Sequence, residues 1–141
     1  MNLKNKRGIT VSSIVIYVLL FFMFTTVITT VSSRINKRLF DDRGKAINIT
    51  AVNKLEYNLL DSADKSYNAK VNVVGNKTTV TFSNSDKYVF DLDDNVIYKN
   101  DGKLVKFVEE CSVEVVDNTL DINITLNKYI NEVTRNIKIN V

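Results

Sequence analysis

Asp91, Asp93 and Asn95 alternate in the stretch DLDDN, the spacing at which oxygen ligands open an EF-hand calcium loop. The loop does not continue as such a site must. Val96 stands where the sharp turn needs glycine, and Gly102 stands where a bidentate glutamate would close the shell. The segment reads instead as a polar β-turn. The acid pairs Asp93–Asp94 and Glu109–Glu110 are sequence neighbours. On a strand such neighbours point to opposite faces, and turn carboxylates are solvated. The chain has no histidine, which removes Ser–His and Cys–His nucleophile pairs. Cys111 is the one cysteine, so neither an intramolecular disulfide nor a cysteine metal cluster can form. Within EECSVEVV it reads as a small apolar core residue. No catalytic, cofactor-binding or metal-binding residue is assigned, and the chain is expected not to be an enzyme. Asn48, Asn76 and Asn123 open glycosylation-type triplets, which in so Asn-rich a chain read as chance matches.

With catalysis set aside, the distribution of charge carries the argument. The 141 residues suffice for one domain of ordinary size, and the formal net charge is +3. Of the 19 basic residues, Lys4, Lys6 and Arg7 come first; the other 16 face 16 acidic residues, so the downstream part is formally neutral. No nucleic-acid-binding surface follows from such a balance. Between Arg7 and Arg34 stand 26 residues without a charge. As a helix they run about 39 Å, against a bilayer core of about 30 Å.

Three readings of this segment are open. A secretory signal peptide would be cut near Ser32 or Ser33, although this apolar run exceeds the ordinary signal core. A plain uncleaved anchor would hold the basic end in the cytoplasm and send the rest out. The third reading rests on the junction KRGITV: a basic pair, a glycine, then apolar–Thr–apolar running straight into the helix.

Downstream, the pattern changes twice. Ile35, Leu39, Ala46, Val52, Leu55 and Leu59 recur at roughly three- and four-residue spacings, so the helix is expected to extend over residues 34–66, with a bend or break at Gly44. From Ala69 the period becomes two. AKVNVV and TTVTFS flank a turn at Gly75-Asn76; KYVFDL, VIYK, KLVKFV, SVEVV, LDINITL and VTRNIKINV follow as strands. Asp101-Gly102 is the sharpest hairpin signal. In LDINITL, Leu120, Ile122, Ile124 and Leu126 share one face of a half-buried strand. The expected fold class is α+β: a long N-terminal hydrophobic helix, then an antiparallel β-sheet over residues 67–141. The outer half of the helix should pack on the sheet, and the apolar half has nothing in its own chain to cover it.

KRGITV resembles the processing site of type IV prepilins and pseudopilins. The later part, from YVFDL through LDINITL, is similar to the minor pilins of the type II secretion J, type IV pilus W and competence ComGF groups. Together the two resemblances cover most of the chain, and a pilin-like fold is what they imply. They imply a leader over residues 1–8 with basic Lys6 and Arg7, cleavage between Gly8 and Ile9 by a prepilin peptidase, and methylation of the new Ile9 amine. Residues 9–33 would be the transmembrane and filament-core helix. Implied partners are other pilin subunits and an inner-membrane assembly platform. The implied location is the cell membrane, single-pass with the N-terminus cytoplasmic, and afterwards an extracellular filament. Ser13 stands where the family has glutamate. A charged amine drawn into an apolar bundle needs a counter-charge. The first subunit has no predecessor to neutralise, so a chain lacking that glutamate is expected in the initiating or tip complex. The alternative is a signal-anchored extracytoplasmic binding domain that is never cleaved.

Overall fold

The computed structural model describes residues 3–128 and 131–141, with side chains described from Val11 onward except at Lys128. The architecture is α+β. One helix, α1 (Leu3–Asp64), precedes the strands β1 (Ala69–Val74), β2 (Lys77–Phe82), β3 (Lys87–Asp91), β4 (Val96–Lys99), β5 (Gly102–Lys106), β6 (Val108–Val116), β7 (Thr119–Lys128) and β8 (Asn131–Asn140). The chain forms two compact units, divided between Phe40 and Asp41.

The first unit, to Phe40, is helix alone. Its sequence has no proline to remove a helix donor, and no glycine after Gly8. β-Branched residues abound, yet each threonine from Thr25 to Thr30 turns its hydroxyl onto the carbonyl four residues earlier, at 2.8 Å.

In the second unit, the helix buries Gly44, Asn48, Val52, Leu55, Leu59, Ser62 and Ala63. These spacings of three and four trace one face. The expected break at Gly44 does not occur: the helix passes through it unbroken. A mid-helix glycine costs only about 1 kcal/mol relative to alanine, less than the contacts this face gains. Ala46, assigned to the packed stripe by spacing, is instead exposed, as are Ile35 and Leu39. The helix stops at Asp64, two residues short of the expected limit.

The strands form two antiparallel meanders rather than one sheet: β1-β2-β3-β4-β5 and β6-β7-β8. KLVKFV, expected as one strand, is cut at Phe107, whose φ of 66° takes the backbone out of the extended region. Turn chemistry fixes the registers. Gly75 (φ 60°) and Asn76 link Val74 to Lys77, the glycine taking the one positive φ of the pair. The expected hairpin after β4 exists, but one residue earlier. Asn100 and Asp101 both take positive φ, as a type I′ turn demands, and Gly102 already pairs with Lys99. Asp117-Asn118 repeats the device between β6 and β7.

A single core joins Val52, Leu55 and Leu59 of the helix to Phe82, Tyr88 and Phe90 of the first sheet and Leu120, Ile122, Ile124 and Leu126 of the second. The alternation read in LDINITL is therefore the buried face of β7, each of the four being at most 1% exposed. Each such aliphatic side chain contributes about 1.5–3 kcal/mol on burial.

Candidate functional site

The helix of the first unit is apolar and uncovered. It is long and apolar enough to cross a membrane, and none of its most apolar stretch is buried. Ile14, Phe21, Phe24 and Ile28 each keep more than half of their surface accessible. Leaving such a surface in water would forfeit about 25 cal/mol for every Å². Lipid or other apolar helices are the surroundings that remove this penalty, and single-pass membrane anchoring is the arrangement that fits.

Lys6, Arg7, Gly8 and Ile9 lie on helical backbone in the first turns, but their side chains fall outside the described residues. Ser13 lies a turn further on and is half-buried. The Gly8–Ile9 junction and Ser13 are thus about one turn of helix apart.

The second unit resolves the calcium-like stretch into a turn. Asp91 is 4% exposed. Its Oδ1 accepts the backbone N–H groups of Asp93 (3.1 Å) and Asp94 (3.2 Å), and its Oδ2 lies 2.7 Å from Lys77 Nζ. The hydrogen bond from Lys77 is the main reason the carboxyl sits below its usual range. Asn76 engages Asp93 at 2.9 Å. Both Asp91 oxygens are committed within the protein, and among the described residues no group of three His, Cys, Asp or Glu side chains is placed to hold a metal ion. Asn48 is no glycosylation acceptor: it is buried, its amide donating to the carbonyls of Asn131 (2.5 Å) and Leu126 (3.5 Å). Cys111 packs partly buried against the core, and burial pushes its thiol up to about 12.

A polar cluster that the sequence did not suggest joins the helix end to the first sheet. Ser62 Oγ lies 2.6 Å from Asp86 Oδ2 and 2.7 Å from the Tyr88 hydroxyl, which lies 2.7 Å from the carbonyl of Asn58. Two hydroxyl protons serve these three contacts. Asn100 donates to Asp86 Oδ1 at 3.0 Å, and Lys99 reaches Asn58 Oδ1 at 3.2 Å with its ammonium 5.4 Å from the Tyr88 ring centre. Hydrogen bonds from Ser62 and Asn100 hold the Asp86 carboxyl below its ordinary range, assisted by the nearby Lys99 charge. Such a carboxylate is a weak base and does not activate Ser62 as a nucleophile. The cluster fastens the helix end to the first sheet. Its bonded pairs are up to 41 residues apart, so no local spacing reveals them.

No protein-family model matches this chain, and neither a curated protein nor a solved structure does so.

Proposed function

We propose that the chain is a minor pilin or pseudopilin: a non-enzymatic subunit of a type IV pilus-like filament, held first in the membrane and then in a helical bundle. The observation that carries this reading is the uncovered apolar helix, which has no partner within its own unit. Packing among like helices would cover it once it leaves lipid. The junction KRGITV at its start supplies the second support, because a peptidase acting on the cytoplasmic side needs an accessible backbone, and Gly8 offers one without a side chain. Cleavage between Gly8 and Ile9 frees the amine that is then methylated, and an assembly platform draws the subunit from the bilayer. Ser13, in place of glutamate, puts the subunit in the initiating or tip complex.

Mass spectrometry of the mature chain, isolated from a producing cell, tests this. A first residue of Ile9, with or without a methyl group, is expected. A retained leader would leave a plain signal-anchored binding domain, the reading that Ser13 favours if it has no place in a filament. A start near Arg34 would make the chain a secreted β-rich domain.

A further inference from the structure

The end of the first unit carries a feature that the filament reading does not use. Arg34, Lys37 and Arg38 are the first charges after the apolar run, and all three are exposed. At 100° per residue they fall within an arc of about 100° on the helix. Ile35, Leu39 and Phe40 occupy the rest of the circumference, each at least half exposed. Among the described residues no ion pair engages the side chains of these three cations, as none engages those of Arg43, Lys45 or Lys54 further along the helix, so their charge is available to a ligand. On the helical wheel Asp41 falls within the same arc, one turn beyond Lys37, and Asp42 falls beside it, so the two acids offset part of this charge at its far edge.

The axial position is as telling as the charge. From Arg34 to Arg38 the helix rises about 6 Å. The polar layer on either side of a bilayer core is about 5–7 Å deep. If the run before Arg34 lies in hydrocarbon, the three cations fall at the depth of the phosphate groups. Their long stems lie along apolar surface while their heads reach the polar layer.

We propose that Arg34, Lys37 and Arg38 form a docking face for the headgroups of anionic phospholipids at that end of the helix. The proposal rests on the membrane-spanning part of the functional reading and goes beyond it by naming a lipid class. It also bears on orientation. Lys4, Lys6 and Arg7 lie before the span, and Arg34, Lys37, Arg38, Arg43 and Lys45 follow soon after it, so a count of nearby cations does not favour the N-terminal side. A face that holds anionic lipid would anchor the subunit at both ends until assembly extracts it.

The test uses the full chain reconstituted in mixed phosphatidylcholine–phosphatidylglycerol vesicles. Spin-labelled lipids report which headgroup is retained next to the protein. Each cation near an anionic surface contributes about a five-fold preference. Selectivity for phosphatidylglycerol is therefore expected in the wild type, and to fall about five-fold or more in R34Q/K37Q/R38Q. R34K/K37R/R38K should retain it, and added salt should weaken it. Equal selectivity in the wild type and the glutamine variant overturns the proposal, as does a preference lost only in K4Q/K6Q/R7Q. Binding of a labelled DNA duplex by the wild type but not the glutamine variant, without lipid selectivity, would assign the face to nucleic acid instead. A chain that fails to float with the vesicles overturns the membrane reading itself; one that floats without selectivity overturns this proposal alone. Neither result touches cleavage at Gly8, which the mature N-terminus reports separately.

Discussion

Ser62 Oγ approaches Asp86 Oδ2 to 2.6 Å, linking a buried position on the helix to the loop between β2 and β3. The contact is charge-assisted, and Asn100 braces the second carboxylate oxygen at 3.0 Å. Asp86→Asn keeps the shape and removes the charge, so the variant should lose about 1–3 kcal/mol at neutral pH, read by chemical denaturation. The carboxyl is held below its ordinary range in the fold. Its contribution is therefore fully present above the unfolded value, near pH 4, and is lost as pH falls through the lower folded value. The gap between wild type and variant should close on acidification below about pH 4. A gap independent of pH would show that the charge is not what stabilises.

Asn48 is the one buried amide on the packed face of the helix, and it reaches the carbonyl of Asn131 where β8 begins. Asn48→Ala removes the donor and opens space around it. A loss of about 1–3 kcal/mol is expected. Asn72→Ala, on the exposed side of β1, should stay within about 0.5 kcal/mol of wild type. Thermal melts of the two variants side by side decide the matter; equal melting temperatures would show that Asn48 carries no structural weight.

Cys111 should be inert while the protein is folded. Its thiol is pushed up to about 12 by burial, so little thiolate exists at pH 8. Labelling by a thiol-specific disulfide reagent should be at least about a hundredfold faster in denaturant, where the ordinary value near 8.5 returns. Rapid labelling of the native protein would mean that β6 opens far more often than its pairing with β7 suggests.

Ser13 tests the filament reading proposed above. On that proposal, introducing the acidic group that type IV pilins carry at this position, Ser13→Glu, should raise the number of copies incorporated per filament, because the side chain would then neutralise the amine of a neighbour. Quantitative mass spectrometry of sheared filaments reads this number. An unchanged copy number would remove the argument for a tip position.

Local patterns announced some of this structure and were silent on the rest. The alternation of Leu120, Ile122, Ile124 and Leu126 survives because a two-residue period has only two faces, and one of them is the core. The charge-free run was equally legible. Gly44 misled because an intrinsic preference of about 1 kcal/mol is outweighed when Asn48, Val52 and Leu55 continue the same face. The hairpin after β4 was announced by Asp-Gly, yet Asn100 and Asp101 take the left-handed backbone and leave the glycine in the strand. Both asparagine and aspartate tolerate that conformation, so a neighbouring pair competes for the turn. Phe107, with its positive φ, gave no warning that it divides two sheets. The Asn58–Ser62–Asp86–Tyr88–Lys99 cluster left no periodic trace, since it is assembled across three separate elements.

The threonine block has one more consequence. Thr25, Thr26, Thr29 and Thr30 each close their hydroxyl onto the helix's own carbonyls. Each hydroxyl proton is thereby used within the helix, and a methyl group stands beside it on the same Cβ. A stretch that spells polar thus needs no outside acceptor for its hydroxyl protons. An apolar surrounding can therefore lie against it without any of these four hydrogen bonds being unmade.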